Sequence, residues 1–185
     1  MKKYFNNTET INNNVIKIFG YGSLIEIESL KKTVPETTNI FPATVHGYAR
    51  LFETSSKWRR SKTGSPISVL NVKKDRKSFV NGICFDVTKN YIDNLLKREK
   101  AYKLVEITAQ SFVNQKDKYT AFIFIDNSEI KQKFLFNDET QINYLKICLD
   151  GAKNFGKEFY ATFIETTFID QKSIKDIKEL KHLLI

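Results

Sequence analysis

Six segments of this chain have the residue types of β-strands, and they do not alternate regularly with the segments that have the pattern of helices. Each is rich in β-branched or aromatic residues and is bounded by polar or turn residues. They cover residues 15–19, 43–53, 67–72, 79–87, 104–113 and 119–125. A parallel sheet with crossover helices requires regular alternation, so this order disfavours it. The sequence predicts an α+β fold, with a small mixed β-barrel or sheet flanked by helices.

Apolar residues at helical spacing predict three helices. The first covers residues 89–100, and Thr88 before it is of a type preferred at the N-cap. The second begins near Asp138. The third lies in the C-terminal stretch, where one face carries Ile174, Ile177, Leu180 and Leu184. The polar residues 57–66 are expected to form a long loop between two strands.

The length of 185 residues is that of one domain and is sufficient to bury most of the apolar surface. Residues 1–14 are polar and rich in asparagine, so we expect a flexible tail there and a single domain over residues 15–185. The chain has no run of about 18 apolar residues and no apolar signal-peptide core. These features predict a cytoplasmic protein that does not engage a membrane.

The cysteines and histidines do not form a metal-binding pattern. Cys84 and Cys148 fall in a predicted strand and a predicted helix, without a Cys-x-x-Cys pair, so both are expected to be buried thiols. His46 and His182 lie far from each other and from both cysteines in the sequence. No structural zinc site is therefore predicted.

The formal net charge is +9, and two basic stretches cover residues 57–62 and 73–77. They could contact phosphate groups, steer an anionic metabolite towards the protein, or bind nucleic acid. They could also be an ordinary lysine-rich, solvated surface. The charge alone does not separate these interpretations.

A carboxylate interrupts the apolar face of the first predicted helix. That face carries Tyr91, Ile92, Leu95 and Leu96. At about 100° per residue, Glu99 lies within it, whereas Lys97, Arg98 and Lys100 point away. Burial of a glutamate raises its pKa towards the value that a general base needs. Glu99 could instead reach solvent at the end of the helix, or pair with an arginine such as Arg50.

A turn with two glycines, Phe19-Gly20-Tyr21-Gly22-Ser23-Leu24, directly follows the first predicted strand. Glycines allow positive φ angles and can bring consecutive N–H groups together around an anion or a carbonyl oxygen. Ile25 stands where a dinucleotide fingerprint has its third glycine, and no Gly-Lys-Ser/Thr follows. Neither nucleotide motif is present, and the turn alone is also consistent with an ordinary strand end.

Three segments together resemble the γ-glutamylcyclotransferase superfamily, in particular its ChaC-like branch. The glycine turn is similar to the family's substrate-binding loop. The stretch Leu95-Leu96-Lys97-Arg98-Glu99-Lys100, followed by Tyr102, is similar to the segment with the family's catalytic glutamate. The segments around residues 144–152 and 156–159 resemble the branch's C-terminal helix. The resemblance spans about residues 15–167.

The resemblance implies a γ-glutamylcyclotransferase-like fold and an enzyme that performs an intramolecular acyl transfer, of the lyase or transferase class. A γ-glutamyl compound, such as glutathione or a γ-glutamyl amino acid or amine, would give 5-oxoproline and a released peptide or amine. Glu99 would be the general acid/base. The implied substrate-binding residues are Tyr21, Gly22, Ser23, Leu24, Tyr102 and Arg50.

The implied partner is this small-molecule substrate, with no cofactor, metal or nucleic acid. A non-catalytic ligand-binding module of the same fold, or a basic nucleic-acid-binding protein, is the alternative. Ser55, Ser56, Arg59 and Arg60 could contact the far end of a substrate, or they could belong to a solvated loop.

Overall fold

The computed structural model describes residues 15–100 and 102–184, so the tail predicted over residues 1–14 lies outside the described residues. In chain order the first elements are β1 (Val15–Gly20), α1 (Ile27–Lys31), β2 (Thr38–Arg60), β3 (Pro66–Thr88) and α2 (Lys89–Arg98). The next are β4 (Lys103–Ser111), β5 (Lys118–Ile125), α3 (Glu139–Lys153), α4 (Lys157–Glu165), β6 (Thr167–Ile169) and β7 (Lys172–Ser173). Two 3₁₀ helices follow, Ile174–Asp176 and Lys178–Leu183.

Five strands form a closed, barrel-like sheet with helices around it. Hydrogen bonds order the strands β3-β1-β5-β4-β2, and β2 also pairs with β3, which closes the ring. The β1–β5 pair is parallel, whereas the other pairs in the ring are antiparallel. Outside the ring, β6 pairs in parallel with β2, and β7 pairs with β6. The predicted α+β fold with a small mixed barrel is confirmed.

A single hairpin of two 23-residue strands, β2 and β3, forms the largest part of the barrel. The sequence predicts two separate strands, 67–72 and 79–87, but the exposed basic residues between them continue β3, because Lys73 and Lys74 pair with Ala49 and Tyr48. The prediction of a loop over residues 57–66 is also wrong. Strand β2 continues to Arg60, and only residues 61–65 form the turn.

Helix α3 begins where the sequence predicts. Its N-cap is Asp138, whose carboxylate accepts a hydrogen bond from the Gln141 N–H at 3.0 Å. Thr88 is the N-cap of α2, although its side chain makes no capping hydrogen bond. Both cysteines are free and buried, Cys84 in β3 and Cys148 in α3, as predicted. Burial raises the pKa of each thiol to about 12.

The C-terminal stretch is not an α-helix as predicted. Ile174, Ile177 and Leu180 are buried, but they follow each other at intervals of three residues. That interval matches the three residues per turn of a 3₁₀ helix, and the stretch forms two short 3₁₀ helices separated by Ile177, whose backbone is extended. Within residues 15–100 and 102–184, no helix is both long enough and apolar enough to span a bilayer.

Candidate active site

Glu99 lies immediately after the last residue of α2, so the helix ends before the carboxylate and not at Lys100 as predicted. The Glu99 N–H still donates to the Leu95 carbonyl at 2.9 Å, and its own carbonyl accepts the Tyr102 N–H at 2.8 Å. The Glu99 side chain is 17% exposed and lines two cavities that share some of their walls. The end of the helix therefore places this carboxylate in a cavity and not on the open surface.

The pKa of Glu99 is set by two opposing effects. Burial raises the pKa above its usual range, and the positive charge of Arg98 works against this increase. The ion-pair partner is thus Arg98, with 3.3 Å between Arg98 Nε and Glu99 Oε1, and not Arg50. A carboxylate with a raised pKa beside a cavity has the properties of a general base.

Arg98 was expected to point away from the apolar face, but its guanidinium is only 20% exposed and connects several parts of the site. Nη1 donates to the Ser29 carbonyl at 2.7 Å and to Thr33 Oγ1 at 2.9 Å. Nη2 donates to Ser29 Oγ at 3.0 Å and to Ser23 Oγ at 3.2 Å. One side chain thus joins Glu99 to the glycine turn and to the region of α1.

The glycine turn forms one wall of the smaller, inner cavity, whose volume is about 40 Å³. The cavity is lined by Phe19, Gly20, Tyr21, Gly22, Ser23, Leu24, Leu70, Glu99, Tyr102, Phe124 and Tyr144. The Gly22 carbonyl accepts the Ile25 N–H at 2.9 Å, which closes the turn. Among the described residues we find no acceptor for the N–H groups of Gly22, Ser23 and Leu24. These amides are the candidates to bind substrate oxygens.

The glycines of this turn are required for space and not for positive φ angles, which corrects the expectation from the sequence. Among the described residues, the glycines with positive φ are Gly47, Gly64 and Gly156. A Cβ on Gly20 would lie 2.8 Å from Leu24 Cβ. One on Gly22 would lie 3.3 Å from Tyr144 Oη, so the turn packs closely against its surroundings.

Three tyrosines enclose the inner cavity, and their hydroxyls are all hydrogen-bonded to the backbone. Tyr21 Oη donates to the Phe124 carbonyl at 2.7 Å, and Tyr102 Oη donates to the Leu70 carbonyl at 3.2 Å. Tyr144 Oη accepts the Leu70 N–H at 3.3 Å. Burial raises the pKa of all three phenols, so they remain protonated. Tyr144 was not among the predicted site residues, because a tyrosine on the apolar face of α3 has the pattern of a core residue.

A larger outer cleft, of about 460 Å³, shares Ser23, Glu99, Tyr102 and Tyr144 with the inner cavity. Its cationic lining residues are Lys32, Lys57, Arg59 and Arg98, and Glu99 is its carboxylate. Ser55 and Ser56 also line the cleft, whereas Arg60 donates to the Ser56 carbonyl at 2.9 Å and is not part of the lining. The cleft is therefore positively charged apart from Glu99, which suits an anionic ligand.

Arg50, which the resemblance implies as a substrate-binding residue, is fully buried and lines neither cavity. Its guanidinium donates to the carbonyls of Tyr21, Asn81 and Phe163, and to the side chains of Asn81, Thr166 and Thr167. The 3.3 Å contact with the Tyr21 carbonyl places Arg50 behind the glycine turn. Arg50 therefore supports this turn from within the core.

The described residues contain no cluster of three or more His, Cys, Asp or Glu side chains that could hold a metal ion. What they bring together is one carboxylate with a raised pKa, a set of free backbone N–H groups and a cationic cleft. Such a set can move a proton, stabilise an oxyanion and bind an anionic group.

Solved structures have the same fold. A γ-glutamyl cyclotransferase matches with a TM-score of 0.67 at 16% identity, over 92% of this chain and 98% of that chain. An uncharacterised human protein matches with a TM-score of 0.67 at 16% identity, over 93% and 99%. A yeast γ-glutamyl cyclotransferase specific to glutathione matches with a TM-score of 0.53 at 15% identity, over 93% and 95%. The fold is that of the γ-glutamyl cyclotransferases.

The sequence family is narrower than this fold class. The model of the ChaC-like protein family matches residues 16–160, and the chain belongs to this family. Both the glycine turn and Glu99 lie within the matched residues. A comparison with curated proteins finds no match. Family and fold together support an activity of the γ-glutamyl cyclotransferase type.

Proposed function

We propose that this protein cyclises the γ-glutamyl group of a small substrate to 5-oxoproline and releases an amine or peptide, with Glu99 as general base and general acid. One observation carries the proposal: Glu99 lines the same inner cavity as Gly22, Ser23 and Leu24, whose N–H groups have no acceptor among the described residues. A proton acceptor and a set of oxyanion donors on one cavity are what an acyl transfer to an amine requires.

The proposed reaction is internal to the substrate. The α-amino nitrogen forms a bond to the γ-carbonyl carbon, and the bond from that carbon to the leaving nitrogen breaks. The attacking ammonium loses two protons in becoming the lactam nitrogen. Glu99 takes them one after the other and delivers each to the leaving nitrogen, so the leaving group departs as an ammonium and the carboxylate is regenerated. Acid–base help of this kind contributes typically about 10²–10⁴-fold.

The glycine turn would stabilise the negative charge that develops on the γ-carbonyl oxygen during attack. The N–H groups of Gly22, Ser23 and Leu24 are suited to this role because they have no acceptor among the described residues. Tyr21 is held by its hydrogen bond to Phe124, and Tyr102 by its bond to Leu70, so the walls are fixed before substrate binds. Fixed walls also favour a folded substrate in which nucleophile and carbonyl meet.

The leaving group would occupy the outer cleft, where the cations Lys32, Lys57 and Arg59 favour a leaving group with a carboxylate. We therefore propose a γ-glutamyl peptide such as glutathione as the preferred substrate over a neutral γ-glutamyl amine. The fold shared with the glutathione-specific yeast enzyme supports this choice. In this mechanism every proton is moved by a side chain of the chain itself, and no cofactor is invoked.

The proposal is tested by measuring 5-oxoproline after incubation with glutathione, γ-glutamyl amino acids and γ-glutamyl amines. We expect release from glutathione at the highest kcat/KM. Glu99→Gln, which keeps the size of the side chain, should lower kcat by about 10²–10⁴-fold while KM changes little. Full activity in this variant would reject the mechanism, and no release from any of the compounds would reject the function.

A further inference from the structure

The pairing of β2 with β3 is irregular next to the outer cleft. Ser55 pairs with Ser68 and Arg60 pairs with Pro66, so residues 56–59 of β2 face the single residue Ile67 of β3. We refer to residues 56–59 as the cleft bulge. All four of its residues line the outer cleft, and it supplies two of the cations there, Lys57 and Arg59. The cleft bulge is thus the part of the barrel best placed to meet a leaving group.

The shape of the cleft bulge is fixed locally by Ser56. The buried Ser56 Oγ accepts the Arg59 N–H at 2.9 Å and the Trp58 N–H at 3.3 Å. Arg59 lies across the ring of Tyr144, with 5.4 Å between its guanidinium carbon and the ring centre. The bulge therefore has a defined conformation within the cleft wall.

Trp58 connects the cleft bulge to the segment that carries Glu99. Its side chain is 65% exposed, which is unusual for tryptophan, yet its indole N–H donates to the Arg98 carbonyl at 3.1 Å. The Arg98 carbonyl and the Glu99 N–H belong to the same peptide unit. The Glu99 N–H donates to the Leu95 carbonyl. The peptide unit is thus held from the helix on one side and from the cleft bulge on the other.

We propose that Trp58 is a positioning residue that couples the leaving-group side of the cleft to Glu99. This inference rests on the proposed function, because it assigns the outer cleft to the leaving group. A leaving group that contacts Lys57 or Arg59 stabilises the bulge, and Trp58 transmits this to the peptide unit before Glu99. Binding of the leaving group then raises kcat as well as lowering KM.

Trp58→Phe tests the coupling, because phenylalanine keeps a ring but lacks the donor. With glutathione as substrate we expect kcat to fall about ten-fold, since small displacements of a catalytic group cost rate, while KM changes less than about two-fold. The thermal midpoint should stay close to that of the wild type, because little of this side chain is buried. A kcat within about two-fold of the wild type overturns the inference.

Lys100→Met is the matched control. The Lys100 ammonium lies 5.6 Å from the Trp58 ring centre, so this variant removes a contact with the ring and leaves the indole N–H in place. We expect its kcat to equal that of the wild type. An equal loss of kcat in both variants would show that the ring contact matters and not the hydrogen bond, which also overturns the inference.

An NMR titration of the Glu99 carboxyl gives a readout that does not depend on turnover. Arg98, Tyr21, Tyr102 and Tyr144 interact electrostatically with Glu99, and the cations Lys32, Lys57 and Arg59 line the same outer cleft. Trp58→Phe replaces none of these groups. A loosened peptide unit admits water, so the pKa of Glu99 should fall towards its usual range in this variant. An unchanged pKa overturns the coupling even if the protein is an active cyclotransferase. A lowered pKa in a protein that releases no 5-oxoproline supports the coupling and rejects the proposed function.

Discussion

At the scale of single residues, the neighbours Arg98 and Glu99 have opposite roles in the electrostatics of the site. Burial favours the protonated form of Glu99, and the adjacent guanidinium favours the ionised form. Because Arg98 is also hydrogen-bonded to Ser23 and Ser29, its charge is fixed in position. The pair therefore determines the pH at which the proposed base becomes active.

The pH dependence of the proposed activity follows from this pair. The base is active when it is ionised, so kcat/KM should rise with pH through the raised pKa of Glu99. Arg98→Met removes the charge that lowers this pKa, so the acid limb of the profile should move to higher pH. Lys97→Met removes an exposed charge from the same helix and should move the limb much less. If the acid limb of the kcat/KM profile of Arg98→Met lies at the same pH as in the wild type, or at a lower pH, the assignment of Glu99 as the base is contradicted.

The buried carboxyl also affects stability. Its pKa is higher in the folded protein than in the unfolded chain, so the folded state retains the proton more strongly. The stability that Glu99 contributes is complete below the unfolded pKa and is lost as the pH rises through the folded pKa. Glu99→Gln has no such loss. In urea unfolding between pH 4 and pH 8, the free energy of unfolding of the variant should therefore increase relative to that of the wild type as the pH increases. A difference that does not vary with pH would argue against a raised pKa.

At the scale of elements, α3 packs directly against the chain that follows the glycine turn. A Cβ on Gly151 would lie 2.6 Å from the Glu26 nitrogen and 2.8 Å from both Glu26 Cα and the Ile25 carbonyl carbon. All three are backbone atoms, which cannot move aside as the end of a side chain can. The closest approach between this helix and the site therefore depends on a residue without a side chain.

Gly151→Ala should for this reason displace the glycine turn. We expect the free energy of unfolding to fall by about 1–3 kcal/mol and 5-oxoproline release to slow, because the amides of the turn move. Asp150→Ala is the matched control on the exposed face of the same helix. It should change stability by no more than about 0.5 kcal/mol. Equal stability and activity in both variants would show that the helix can shift without affecting the turn.

Elements with a local pattern were predictable, and those that depend on distant contacts were not. The apolar face of α2 and the two glycines of the turn can be recognised in the sequence. Glu99, which interrupts that face, and both glycines line the inner cavity. The continuation of β3 through Lys73 and Lys74 is invisible locally, because pairing with β2 and not residue type keeps the strand extended. The hydrogen bonds of Trp58 and Arg98 are made with partners up to 75 residues away, such as Ser23 for Arg98.

At the scale of the whole molecule, Arg50 connects parts of the chain that are distant in sequence. Through Tyr21, Asn81 and Phe163 it joins the glycine turn, β3 and α4. The sequence indicates an arginine within a strand but not on which face of it. The alternation of buried and half-buried residues along β2 places Arg50 inside, where its guanidinium also lies 3.8 Å from the Phe163 ring centre.

Arg50→Met should destabilise the protein strongly, although Arg50 lies outside both cavities. Three buried acceptors, the carbonyls of Tyr21 and Asn81 and the Asn81 Oδ1, would lose the donor that Arg50 supplies, and each such loss costs about 1–3 kcal/mol. We therefore expect the free energy of unfolding to fall by at least about 3 kcal/mol in a denaturant titration. Arg60→Met, at the exposed end of the same strand, should cost about 0.5 kcal/mol or less. Comparable stability of the two variants would contradict the structural role of Arg50.

The burial of both cysteines has a consequence for the chemistry around the protein. Thiol–disulfide exchange requires a thiolate, and with a pKa of about 12 roughly one thiol in 10⁵ is ionised at neutral pH. Glutathione, the substrate proposed here, coexists in cells with its disulfide. Because Cys84 and Cys148 present neither a thiolate nor an accessible sulfur, neither cysteine can attack that disulfide and form a mixed disulfide. Oxidised glutathione should therefore not inactivate the proposed activity through its cysteines.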